Sequence, residues 1–289
     1  MSSLRWDVHG RDWPNRQASR FVSAGGLDWH VQTMGEGPRV WLIHGTGASA
    51  HSWRDVMPLL AKRFTVTAMD LPGHGFTRGR PSGGLGLNAM AKALAALADA
   101  IGAPVAGIGA HSAGAAIAAR IALDKSHQAP IVAFGPALLP FPGMAAPFFS
   151  GLAGLLLVNP LAPSLFAHAA RRTNTEKFLR RTTGSHIDTR GAELYGRLFA
   201  SSRHCAGALE MMAQWDLASL ARELPQLPVP MTILHGTRDA SVPLARAQEA
   251  AALARATFET LPGLGHLAHE ERPELAAEAV AAAASRVEP

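Results

Sequence analysis

With 289 residues, 48% of them hydrophobic, the chain can bury one sizeable core or two modest ones, so a short disordered peptide or a small stapled scaffold is excluded. Cys205 is the single cysteine, which rules out an intrachain disulfide framework and fits a reducing compartment. The formal charge of +5 is local: residues 171–203 carry eight basic and three acidic side chains, a surplus equal to the whole. Attraction of an anionic partner is therefore expected at that segment alone, and no nucleic-acid partner is expected.

The first 15 residues hold Arg5, Asp7, Arg11 and Asp12 with no apolar run behind them, so no secretory signal is read and a cytoplasmic location is expected. Apolar and alternating runs rich in β-branched residues then predict strands at 20–24, 27–34, 40–43, 64–69, 105–109, 131–134, 231–234 and 257–261. The first two, joined by Gly25-Gly26, read as an antiparallel hairpin. Helix formers at helical spacing predict helices at 53–60, 87–101, 113–123, 244–253 and 273–287, the last opened by Pro273. Strand and helix alternate, which places the chain in the α/β class: a mostly parallel eight-stranded sheet with helices on both faces.

That alternation stops between Phe134 and Met231, and the chain divides into a core of residues 1–136 and 225–289 and a helical cap at 137–224. The cap begins with a long stretch that carries no charged side chain and is crowded with Phe148, Phe149, Leu152 and their neighbours. Pro140, Pro142, Pro147, Pro160 and Pro163 cut it short of the ~20 residues a spanning helix needs. Two readings stay open: a lid over an apolar pocket, and a helix lying at the inner face of a membrane as a peripheral contact.

The chemistry is carried by three loops. The strand at 105–109 runs into Ala110-His111-Ser112-Ala113-Gly114 and at once into a small-residue helix, the pattern of a nucleophile elbow that holds a serine proud of the sheet. Alanine stands at 110 where glycine is usual. After the strand at 231–234 comes His235-Gly236-Thr237-Arg238-Asp239, and after 257–261 comes Pro262-Gly263-Leu264-Gly265-His266. The order serine, acid, histidine, with the latter two each beyond a strand's carboxyl end, is what acyl-transfer chemistry on such a sheet requires. Ser112 is the candidate nucleophile, His266 the general base and Asp239 the group that orients it. The amides of Thr46, in the loop after 40–43, and Ala113 are the candidate oxyanion donors.

Other residues compete for these roles. The chain has 13 histidines; His44 and His111 flank the expected site and join Phe148, Phe149 and Leu152 as candidate substrate-binding groups. His269 is expected to face the start of the last helix. His266 and His269 lack a third partner at ligand spacing, so neither metal nor cofactor is expected. Gly45-x-Gly47-x-x-Ala50 with Asp70 also fits a dinucleotide fingerprint, a reading that leaves the three loops unexplained.

On these motifs the chain resembles the α/β-hydrolases over nearly its whole length. The runs Asp12-Trp13-Pro14-Asn15-Arg16, Gly25-Gly26-Leu27 with Trp29-His30-Val31-Gln32, and HGTGASAHSW from His44 resemble more narrowly the magnesium-chelatase accessory proteins of bacteriochlorophyll biosynthesis, the 30 kDa subunit group. The α/β-hydrolase resemblance implies hydrolysis of an ester or related acyl bond of a small apolar or anionic substrate. The narrower one implies a tetrapyrrole as that substrate and magnesium-chelatase subunits as partners. It equally admits a non-catalytic porphyrin-binding or chelatase-interacting accessory role, and the wider superfamily admits cofactor-free haloperoxidase or carbon–carbon hydrolase chemistry.

Overall fold

The computed structural model describes residues 2–102, 104–140, 162–170 and 174–286. Ser19–Ala24 (β1), Leu27–Met34 (β2), Arg39–Ile43 (β3), Thr65–Met69 (β4), Val105–His111 (β5), Ile131–Phe134 (β6), Met231–Gly236 (β7) and Thr257–Leu261 (β8) form one sheet. Their spatial order is β1-β2-β4-β3-β5-β6-β7-β8. Every pair from β4 through β8 is parallel, and β1 and β2 form an antiparallel edge. Ala24 pairs with Leu27, leaving Gly25 and Gly26 as a two-residue loop with φ of 58° and 76°, a geometry that glycine alone takes at little cost.

Helices Trp6–His9 (α1), Val56–Leu60 (α2), Leu87–Ile101 (α3) and Ala113–Leu123 (α4) precede β6. Ala162–Ala170 (α5), Thr175–Thr183 (α6), Thr189–Phe199 (α7), Ser202–Ala213 (α8) and Ala218–Glu223 (α9) lie between β6 and β7, where the described residues hold no strand. Leu244–Ala254 (α10), Ala268–Glu271 (α11) and Pro273–Ala284 (α12) close the chain. Polar caps fix the starts of three inserted helices: Asn174, Asp188 and Ser201 accept from the amides of Lys177, Gly191 and His204.

The two faces of the sheet follow from its period of two. Trp41, Ile43, Ile108, Ala110 and Ile131 pack with α3 and α4 on one side, while Val40, Leu42, Val132 and Phe134 pack with α2 and α12 on the other. The helix expected at 53–60 divides into a short turn at Ala50–Trp53 and α2. Pro58 has no N–H to give the Arg54 carbonyl, which instead accepts from the Asn15 side-chain amide at 3.0 Å.

The basic surplus is partly spent inside the molecule. Asp12 accepts both guanidinium nitrogens of Arg197, at 2.6 and 2.7 Å, and one of Arg190, at 2.9 Å, and these bonds hold its carboxyl well below the usual range. Among the described residues no helix is long and apolar enough to cross a membrane. Phe148, Phe149 and Leu152 lie outside the described residues.

Candidate active site

β5 ends at His111, and the next residue makes the bend. Ser112 has φ 49° and ψ −117°, a conformation that costs a side-chain-bearing residue about 1–3 kcal/mol and persists only where the surroundings enforce it. Here its N–H donates to the Phe134 carbonyl at 3.0 Å, and its own carbonyl accepts from Ala115 and Ala137 at 3.1 and 3.2 Å. The Ser112 side chain does not cap α4. The helix starts hard against β3: a Cβ on Gly114 would lie 2.6 Å from the carbonyl oxygens of both Ile43 and His44.

Alanine at 110 is accommodated because its methyl points to the α4 face, within the cluster of Ala113, Ala115 and Ile117. The tight face is the other one, where a Cβ on Gly109 would lie 2.7 Å from Leu42 and 3.0 Å from Val280.

The loop after β7 places Asp239 with no exposed side-chain surface. Its Oδ1 accepts from the amides of Ser241 and Val242, each at 2.8 Å, and its Oδ2 meets Nδ1 of His266 at 2.7 Å. A carboxylate accepts only, so the bridging proton sits on Nδ1 and Nε2 is left as the acceptor. The end of β6 runs against this pair: a Cβ on Gly135 would lie 2.9 Å from His266 Nδ1 and 3.0 Å from Asp239 Oδ2.

Ser112 reaches the same place through its neighbours. His111 Nε2 donates to the His266 carbonyl at 3.1 Å, and the two imidazoles meet edge to face with centroids 4.6 Å apart. No hydrogen bond joins Ser112 Oγ to His266 Nε2 among the described residues; such contacts commonly tighten only when substrate is bound.

Gly45 lies directly against the serine, a Cβ there falling 2.9 Å from the Ser112 Cβ. Neither the Thr46 nor the Ala113 amide donates to another described residue. Both are at the start of α4 or beside it, where the helix dipole adds to their pull on an anion. From above, α8 pins the loop: Thr46 Oγ1 donates to Met211 Sδ at 3.4 Å, and His204 Nε2 donates to the Gly47 carbonyl at 3.0 Å.

Two expectations about histidines are corrected. His44 is fully buried, with Nδ1 donating to its neighbour's carbonyl and Nε2 accepting from the Leu71 amide, so neither nitrogen remains for a substrate. His111 is 3% exposed and turned behind the serine toward His266 and His269, so it too shapes the site from beneath. His269, in the turn directly before the last helix, is fully buried, its ring tilted against Trp53 and His111 with centroids 4.4 and 4.5 Å away. Burial holds the His111 and His269 imidazoles well below their ordinary range, hence neutral.

Asp70, the acid of the dinucleotide fingerprint, is also spent. Fully buried, it accepts from His30 Nδ1 at 2.9 Å and from the Ala50 and Phe76 amides at 2.8 Å, which leaves nothing for a ribose. Among the described residues no group of three or more His, Cys, Asp or Glu could hold a metal ion. Burial pushes the Cys205 thiol up to about 12, so it is no nucleophile. His204, Met211 and Gly135 shape the site without belonging to any motif; the turn Gly135-Pro136 directly after β6 is the only signal among them.

Residues 42–279 match the model of the Alpha/beta hydrolase family. The chain is 38% identical to the magnesium-chelatase 30 kDa subunit of Rhodobacter capsulatus, over 90% of this chain and 92% of that protein. It is 30% identical to the pimeloyl-[acyl-carrier protein] methyl ester esterase of Methylococcus capsulatus, over 84% of this chain and 94% of that protein. The crystal structure of an alpha/beta hydrolase fold protein from Burkholderia ambifaria superposes with a TM-score of 0.77, covering 91% of this chain and 97% of that one at 23% identity, a likeness of fold.

Proposed function

Because this chain belongs to the α/β-hydrolase family, we propose that it hydrolyses an ester or related acyl bond through an acyl-enzyme on Ser112. The observation that carries the reading is the buried Asp239–His266 hydrogen bond of 2.7 Å beside a serine held in a strained strand-to-helix bend. In this scheme His266 Nε2 takes the Ser112 proton as Oγ bonds to the acyl carbon, and the Nδ1–H donated to Asp239 stabilises the imidazolium that forms. The tetrahedral oxyanion is met by the Thr46 and Ala113 amides, both free of other described partners. Collapse breaks the bond to the leaving alcohol, which takes the proton from Nε2. Water then attacks the acyl-enzyme by the same route and restores the serine.

The likeness to a magnesium-chelatase subunit supports a substrate in tetrapyrrole metabolism, and it favours a second reading in which the protein binds a porphyrin or contacts chelatase subunits without turnover. In both readings residues 137–224 serve as the cap over the site, and contact with a membrane surface belongs to the second. Two assays separate them. Hydrolysis of a chromogenic acyl ester by the wild-type protein and its loss in Ser112→Ala support the first. Unchanged pigment formation in a producing cell carrying Ser112→Ala supports the second.

A further inference from the structure

Residues 182–185, the end of α6 and the two residues after it, lie in the inserted region about 50 or more positions from either the acid or the base loop, yet they bind both. The Thr183 carbonyl accepts from the His266 amide at 2.8 Å and from the Ala240 amide at 3.4 Å. Ser185 Oγ accepts from the Leu267 amide at 2.8 Å, and Ser241 Oγ donates to the Thr182 carbonyl at 2.9 Å. The third amide of the histidine turn, that of Gly265, goes to Glu271 Oε1 at 2.7 Å, whose other oxygen accepts from His186 at 3.2 Å.

The segment is itself rigidly aimed. Thr183 Oγ1 donates to the Leu179 carbonyl at 2.7 Å and accepts from the Ser185 amide at 3.2 Å. Gly184 has φ 71° and presses so closely on the Arg238 carbonyl that a Cβ would overlap it. Thr183 and Ser185 are buried, so these bonds are shielded from water.

We infer that residues 182–185 are a positioning element that sets His266 against Asp239, the inserted region thereby building the site's geometry as well as covering it. The physical reason is that one carbonyl bridges two loops. The acid and base loops are tied to each other at their bases, where the Arg238 amide donates to the Leu264 carbonyl at 2.8 Å and the Gly263 amide to Thr237 Oγ1 at 2.9 Å, while the Ser241 and Val242 amides fix the Asp239 carboxylate within its own loop. The Thr183 carbonyl adds a tie at the functional ends of the two loops, at His266 itself and at the residue after Asp239. A displacement of about 1 Å at such a site costs on the order of a hundredfold in rate.

The inference rests on the serine-hydrolase reading, and its test separates the two. Ser185→Ala and Ser241→Ala each remove one hydroxyl contact; Gly184→Ala drives a methyl into the acid loop. Two quantities are measured on protein shown by circular dichroism to be folded: the second-order rate of Ser112 labelling by a fluorophosphonate across pH, and the deshielded proton resonance of His266 Nδ1 in histidine-labelled protein. Expected for each serine variant is a labelling rate about tenfold lower with unchanged reversible binding of the probe, a displaced pH profile, and a bridging proton broadened by exchange. Gly184→Ala falls further. Wild-type labelling and an undisturbed bridging proton in both serine variants, even with lowered thermal stability, would overturn the inference. If the wild-type serine is never labelled, the hydrolase reading fails, and the bridging proton still decides whether the segment positions the pair.

Discussion

Acid is the perturbation to which the buried histidines expose this fold most. Burial holds His51, His74, His111 and His269 well below the ordinary value of 6.5 and brings His204 down to about 4. All five are at most 3% exposed. A base whose folded pKa is depressed adds stability that is fully present above the unfolded value of 6.5 and is lost as pH falls below it, because the unfolded chain takes the proton and the folded one does not. His204, which takes up its proton only near about pH 4 in the folded state, loses on the order of 2 kcal/mol between pH 7 and pH 5, and the other four lose stability in the same direction. A loss of that order is already a large fraction of a total stability of ~5–15 kcal/mol. Denaturant titrations followed by circular dichroism should therefore show stability falling as pH drops below about 6.5. In His269→Phe the slope should drop by one proton, and the neutral-pH stability should hold, since neither ring nitrogen of His269 has a described partner to lose. Stability that stays level down to about pH 4, where carboxylates alone titrate, would refute the reasoning.

Three substitutions probe the site's construction. Asp239→Asn should cut kcat about ten-thousandfold with little change in KM, because an amide can no longer hold Nδ1 as the donor; steady-state kinetics on an acyl ester reads it. Ala110→Gly, which restores the usual first residue of the elbow, should cost about 1 kcal/mol of unfolding free energy and leave the rate within about twofold, since the methyl packs in the core and touches no reacting group. Gly114→Ala should destabilise by about 1–3 kcal/mol or more and depress hydrolysis, because the added methyl must push α4 off the Ile43 and His44 carbonyls; thermal melting and ester hydrolysis on one preparation report both.

Much of the scaffold was legible because each element carries its own local signal. The alternation in 27–34 and 131–134 and the helical spacing of 87–101 and 113–123 end where those elements end. Asp239 and His266 were legible by their place after β7 and β8, and they meet at 2.7 Å. The division of 53–60 was written in Pro58, yet it depended on Asn15 reaching across to the freed carbonyl, a contact with no local mark. His44 and His111 were misplaced for a related reason: a motif fixes where a backbone goes, but the direction of a ring depends on which distant carbonyl or amide it finds. The bonds from residues 182–185 are the least readable, because the central one is made by the Thr183 carbonyl, a group every residue has. Residues 148, 149 and 152 lie outside the described residues, so the apolar reading of the cap stands on composition.

The central claim, that Ser112 is a nucleophile activated by His266, is tested most directly by intact mass and peptide mapping after exposure to a fluorophosphonate. One phosphonyl group per chain is expected, on the peptide containing Ser112, absent from Ser112→Ala and slowed at least a hundredfold in His266→Ala. A folded protein that stays unmodified at Ser112, or one labelled equally fast without His266, would contradict the account.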